Sequence, residues 1–306
     1  MWEYDETGYD ESFIWGVMIV GICETGASAL KYFCDVGNDI LPERLLIFGK
    51  DDIENSWDTI SNSFADDLSW LFVITDIEHL EVAEMLVKGV EEQKNSAGFP
   101  SVTILILCPS VDDVRLADIP ENFGTWIILP EDKIAETGLT SNELIYRTIS
   151  TIASIILCIN MSDLRSPVSS IPDRLPKSSK ASERKYVVGM DATDVTKCIG
   201  NFGKACIGFG ESQSLDAENA PLDAVKKALK SPLFIEDIGK AKKALLIFVM
   251  RRDFVNVLAA IDAANFLCEL FNPDPEDVWP VLFQIIIDET VSDGVTAFVL
   301  ATKFEK

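Results

Sequence analysis

Two carboxylates stand three residues apart in the stretch Gly189-Met190-Asp191-Ala192-Thr193-Asp194-Val195. A pair of this kind can orient an attacking nucleophile, and it can equally cap a helix and place an acid in its first turn. A second candidate is the turn Gly21-Ile22-Cys23-Glu24-Thr25-Gly26-Ala27-Ser28. Its two glycines allow a tight turn, and Ser28 can cap a helix or donate to an anion. Glu24 puts negative charge where a phosphate would lie, and no Lys follows the second glycine as a P-loop requires. A third turn, Thr75-Asp76-Ile77-Glu78-His79-Leu80-Glu81, has no glycine and carries three acids. A phosphate cradle needs small residues and free backbone N–H groups, so this turn is hostile to a triphosphate, although a bound Mg²⁺ would offset part of the charge. His79 is the single histidine. A histidine-rich metal site is excluded, as is a Ser-His-Asp mechanism based elsewhere; His79 itself reads as a solvated residue at a helix start.

The elements that must position these residues follow from the apolar runs. Residues 16–21, 45–48, 70–74, 102–108 and 126–129 are continuously apolar rather than alternating, as strands covered on both faces are. Helices are expected from Ala27 and over 80–92. The result is a doubly wound α/β domain with a mostly parallel sheet, whose ligands would sit at the carboxyl ends of the strands. A long apolar helix follows at about 141–161. Residues 162–188 differ in composition, with three prolines, many serines and six basic residues against three acids, a net +3. They read as a loop or insertion. Beyond them, helices are expected at 193–207 (ending at Gly208 and Gly210), 220–229 and 255–271, and strands at 244–250, 281–288 and 295–302. This half is α+β with a smaller mixed sheet.

The chain has 306 residues, a size that suggests about two domains. It carries 26 basic and 50 acidic residues, a net charge of −24, with 48% hydrophobic residues, so it is acidic but not disordered. That charge argues against general nucleic-acid binding, because phosphate would repel it. Seven cysteines without C-x-x-C spacing read as buried thiols in a reducing cytoplasm. The acidic start, residues 1–12, holds Glu3, Asp5, Glu6, Asp10 and Glu11 without a basic residue, unlike a signal peptide. The longest apolar run, near 149–161, is short of the ~20 residues that a spanning helix needs.

The stretch 189–197, followed by Phe202-Gly203-Lys204-Ala205-Cys206-Ile207-Gly208-Phe209-Gly210, resembles the FtsZ branch of the tubulin superfamily, which has an N-x-D-x-x-D-V-R loop and then a G-x-A-x-x-G-x-G turn at this spacing. The similarity continues through Ala224 to Pro232 and the strands and helix beyond. Upstream, Pro130-Glu131-Asp132-Lys133 looks like the family's P-N-D-K turn, and Asn142-Glu143-Leu144 opens the counterpart of its central helix. The resemblance implies a Rossmann-like GTPase-type domain at 14–140 behind an acidic tail at 1–13. It further implies a central helix at 141–161 and a C-terminal domain at 189–306, with the insertion at 162–188 outside the family's pattern. It also implies GTP with Mg²⁺ as the cofactor, a pocket containing Gly21, Gly26, Ser28, Asn142 and Glu143, and head-to-tail stacking in which Asp191 and Asp194 complete the neighbour's site in trans. Glu143 matches the guanine-binding acid, or is simply an acid in the first turn of a helix.

The departures point the other way. The glycine-rich phosphate loop is replaced by Thr75–His79, Cys23 and Glu24 stand where the family has glycines, Gly189 replaces an asparagine and Thr196 an arginine. The expectation is therefore a cytoplasmic FtsZ-like assembly protein with a degenerate GTP site and no bound cofactor. It would act with itself or with a GTP-binding relative, in cell division or membrane remodelling. The alternative is an active GTPase with a rebuilt phosphate site. The basic segment 162–188 is either a weak contact to an anionic membrane or a solvated linker.

Overall fold

Strands without polar alternation pack on both faces, and the first half of the chain is built from them. The computed structural model describes residues 16–36, 45–49, 68–95, 102–109, 119, 123–163, 185–188, 190, 192–200, 203–212, 214–271, 273, 280–288 and 294–304. Asp191, the acidic tail 1–13 and residues 164–184 of the basic insertion lie outside them.

In chain order the described elements are β1 (Gly16–Ile22), α1 (Cys23–Val36), β2 (Leu45–Phe48), β3 (Leu68–Thr75), a 3₁₀ turn (Ile77–His79), α2 (Leu80–Asn95), β4 (Val102–Leu107) and β5 (Thr125–Ile128). Two helices follow, α3 (Glu131–Thr137) and α4 (Ser141–Asp163). The second half holds β6 (Lys185–Val188), α5 (Ala192–Ile199), β7 (Gly203–Ser212), α6 (Ala220–Ala228), β8 (Lys243–Met250), α7 (Val257–Leu270), β9 (Val281–Ile287) and β10 (Val295–Thr302). The ten strands form one sheet in the order β2-β1-β3-β4-β5-β7-β10-β8-β9-β6. Only β10 and β6 run against the rest. The carboxyl ends of the other eight strands therefore share one edge.

Helices cover both faces. On one, α1, α4 and α5 bury Leu30, Phe33, Ile145, Ile149 and Val195 against Phe72, Ile104, Ile127 and Ile247. On the other, α2 covers β1, β3 and β4 through Val82, Leu86 and Val90, and α6 and α7 cover β8 and β10 through Val225, Ala260 and Leu267.

The α/β plan, the long helix and the mixed sheet of the second half are present as read from the sequence. The mixed sheet is continuous with the first, because β5 pairs in parallel with β7 through Thr125↔Gly203 to Ile127↔Ala205. Several boundaries differ: α2 runs on to Asn95 rather than 92, and Lys185–Val188, expected within the loop or insertion 162–188, form the edge strand β6. Helix α1 begins at Cys23 rather than Ala27, and α7 spans 257–270 rather than 255–271. The helix expected over 193–207 stops at Ile199, and Gly203, with φ +71°, turns the chain into β7. Gly208 and Gly210 thus lie inside a strand. They are glycines because a Cβ at either would strike the backbone carbonyl of Ala228 or Ala224 in α6.

That contact makes β7 and α6 intolerant of bulk. Gly210→Val is expected to lower stability in urea unfolding by about 1–3 kcal/mol, the usual range for an overpacked core. The exposed Lys230→Ala should change it by less than about 0.5 kcal/mol.

Candidate functional site

At the carboxyl edge, β1 passes into α1 without an intervening residue, and Cys23 takes the left-handed conformation at φ 56° to make the turn. This is possible because Gly21 and Gly26 touch. A Cβ on Gly21 would lie 2.5 Å from the Gly26 carbonyl oxygen, and one on Gly26 would strike the Gly21 backbone and sit 2.9 Å from the Ile74 carbonyl. The two glycines serve close approach of a helix to two strand ends, not an open loop. The sequence pattern shows the glycines but not the partner Ile74, so the helix start was expected a turn late.

The residue after β3 completes the edge. Asp76 caps the 3₁₀ turn, its Oδ1 accepting from the His79 backbone N–H at 3.1 Å and lying 2.7 Å from His79 Nδ1. Its Oδ2 accepts from Thr25 Oγ1, in the first turn of α1, at 3.1 Å. His79, expected as a solvated residue at a helix start, is partly exposed there and is tied to Asp76. The aspartate cap is legible three residues ahead of a helix, whereas the Thr25 link spans 51 positions and is not. Beside this group the thiol of Cys108 is pushed up to about 12, first by burial and then by the charges of Glu131 and Asp76. Negative potential therefore reaches into the core at this edge.

Helix α4 starts next to it. Thr140 Oγ1 accepts from the Glu143 backbone N–H at 3.2 Å, a side-chain cap. Asn142 Nδ2 donates to Ser28 Oγ at 2.8 Å, joining α4 to α1. Glu143 Oε1 accepts from Arg147 one turn on at 2.9 Å, and Arg147 also lies 3.7 Å from Glu211 at the end of β7. The structure thus brings together Gly21, Gly26, Ser28, Asn142 and Glu143, and adds Thr25, Asp76, His79 and Arg147. The Glu143–Arg147 spacing was a readable signal that sequence reasoning did not use.

Asp194 is not part of this group. It lies in the first turn of α5, 3.9 Å from Lys197. Helix α5 is anchored at the other end of the sheet: Thr125 Oγ1, at the start of β5, donates to the Ile199 carbonyl, and Thr302 Oγ1 donates to the Cys198 carbonyl at 2.7 Å. Among the described residues no cluster of three or more His, Cys, Asp or Glu side chains could hold a metal ion, and no helix is long and apolar enough to cross a membrane.

No protein-family model matches the chain. Among curated proteins it is 34% identical over 116 residues to cell division protein FtsZ 2 of Thermococcus kodakarensis, covering 38% of this chain and 26% of that one. It is 26% identical over 221 residues to FtsZ 1 of the same organism, covering 70% and 52%. The chain thus spans from about a quarter to about half the length of the curated relatives it matches. Among solved structures, FtsZ of M. jannaschii (W319Y mutant) superposes with TM-score 0.65 at 17% identity, over 94% of this chain and 91% of that one. The GTPγS-bound protofilament of CetZ2 from Haloferax volcanii gives TM-score 0.59 at 13% identity, over 94% of both. The α/β sheet, its central helix and the carboxyl-edge site define the FtsZ/tubulin fold. The chain has that fold, and its sequence is similar to FtsZ proteins.

The raised thiol pKa has a consequence for stability. A neutral Cys108 is favoured by folding, so its contribution is complete below its ordinary value near 9 and is lost as pH rises towards 12. Urea unfolding should show an extra fall of about 1.4 kcal/mol per pH unit above pH 9. In Cys108→Ala that part of the fall should be absent.

Proposed function

We propose that the chain is an FtsZ/tubulin-like assembly protein of the cytoplasm whose nucleotide site is degenerate. It stacks head to tail with itself or with a GTP-binding relative, in cell division or membrane remodelling. The observation that carries this reading is the Asp76 carboxylate, bonded to Thr25 in the first turn of α1. A helix start offers backbone N–H groups and positive potential to an external anion. Here a resident carboxylate lies against it, Glu24 is in the same turn, and the Gly21–Gly26 contact leaves no loop to wrap phosphate. The residues present do not fit a triphosphate, and no hydrolytic step is assigned to this chain's own edge.

The division into a nucleotide-type domain at 14–140, a central helix at 141–161 and a C-terminal domain at 189–306 belongs to the same reading. So does the role of Asp194, with Asp191, in the site of a neighbouring subunit. Asp194 supports it by lying in the helix anchored at the opposite end of the sheet from Gly21 and Asn142, where stacking would bring it to a neighbour's edge. CetZ2 of Haloferax volcanii, which shares the fold, forms a GTPγS-bound protofilament, which supports assembly in a line. Segment 162–188, at net +3, is the part of the chain suited to an anionic surface.

Calorimetry with micromolar GTP and Mg²⁺ is expected to show no binding heat, and the same mixture no rise in melting temperature. A ligand at 100 times its Kd would add about 2.7 kcal/mol. Clear binding, or turnover that rises cooperatively with protein concentration and is lost in Asp194→Ala, would instead establish a working GTPase with a rebuilt phosphate site.

A further inference from the structure

Helix α5 is 8 residues long, and an isolated helix shorter than about 12 residues is marginal in water. Its place is therefore set by what holds it. Val195, Cys198 and Ile199 are buried against the sheet and α4, while Asp194 and Lys197 are partly exposed. Apolar burial is non-directional. It keeps the helix on the sheet but does not stop it from turning or sliding.

Directional bonds fix the carboxyl end instead. The last carbonyls of a helix have no partner within it. Here Thr302 Oγ1, at the end of β10, donates to the Cys198 carbonyl at 2.7 Å, and Thr125 Oγ1, at the start of β5, donates to the Ile199 carbonyl. Cys198 Sγ donates to the Ala244 carbonyl of β8 at 3.5 Å. Gly200 N donates to the Thr196 carbonyl at 2.7 Å and ends the helix there. Both threonines are fully buried, so bulk water does not compete for these carbonyls. The three bonded strands are spread over the order β5-β7-β10-β8. One belongs to the first half of the chain and two to the second, so α5 is fixed to both at once.

We infer that Thr125 and Thr302 are positioning residues, which by holding the carboxyl end of α5 set where Asp194 stands when it completes the site of a neighbouring subunit. This inference rests on the reading of Asp194 as an acid that acts in trans. Asp194 lies roughly 6 Å along the helix axis from Cys198, at a rise of about 1.5 Å per residue. A tilt or slide at the bonded end therefore reaches the acid within little more than one turn. A group that orients a nucleophile works within narrow limits, and a misplacement of about 1 Å can cost on the order of a hundredfold in rate. Valine keeps the shape of threonine without its hydroxyl, and serine keeps the hydroxyl. The two substitutions separate the bond from the packing.

The test titrates full-length wild type, Asp194→Ala, Thr125→Val/Thr302→Val and Thr125→Ser/Thr302→Ser into FtsZ 1 of Thermococcus kodakarensis with GTP and Mg²⁺, after the turnover of that protein alone has been measured. The wild type should raise turnover and Asp194→Ala should not. The valine variant should reach a maximal turnover roughly tenfold or more below the wild type at an unchanged half-maximal concentration, and the serine variant should restore it. Amide exchange of residues 195–200 should be faster in the valine variant, with β3 and β4 unchanged. If the double valine variant does not fold, Thr302→Val alone is read in the same way. Equal turnover with the wild type and the valine variant, lost in Asp194→Ala, overturns the positioning role and leaves the trans reading standing. Equal losses in the serine and valine variants, or unchanged exchange in the valine variant, also overturn it. No rise with the wild type, or a rise that Asp194→Ala keeps, overturns the trans reading and this inference with it.

Discussion

The contact between Gly21 and Gly26 governs the rest of the carboxyl edge. No side chain fits between these two backbones, nor between Gly26 and the Ile74 carbonyl. Helix α1 is therefore drawn onto the ends of β1 and β3, and its first turn comes within hydrogen-bonding distance of the residue that follows β3. That residue is Asp76, which bonds Thr25 on one side and His79 on the other. The same placement of α1 puts Ser28 beside Asn142 and so sets where α4 begins. One close approach thus positions the whole group, and glycine at both positions is what allows it.

The electrostatics follow from the acids this edge holds. Burial raises the Cys108 thiol first, and the charges of Glu131 and Asp76 raise it further, so the carboxylates act beyond the surface. A helix start normally attracts anions, and here the chain supplies its own. Assembly driven by a bound triphosphate would have to overcome that charge. The net −24 also makes stacking of identical copies unfavourable at low salt, where repulsion is least screened. Homotypic assembly should therefore favour higher ionic strength, or a less acidic partner.

Much of the scaffold was legible because its signals are local. The runs 70–74 and 102–108 are apolar without alternation and became the central strands β3 and β4; residues 141–161 became α4 with a Thr140 cap. The site was half legible. Asp76 and Glu78 were read correctly as acids at a strand end, whereas Gly21 and Gly26, read as a turn, lie at the end of β1 and inside α1. What failed depended on distance. The pairing of Thr25 with Asp76 and the fit of Gly26 to Ile74 join segments about fifty residues apart, and no local pattern encodes them. The helix expected over 193–207 overran its true end at Ile199 for a related reason. Its glycines looked like a stop signal, but they exist to admit α6 against β7, a contact visible only once both are placed.

The central claim is that the first turn of α1 is closed by the protein's own groups and not by a nucleotide. Amide hydrogen exchange of residues 24–28 and 76–79, with and without millimolar GTP and Mg²⁺, tests it most directly. Slow exchange that is the same in both conditions is the predicted result. Fast exchange without nucleotide that becomes protected when GTP and Mg²⁺ are added would contradict the account.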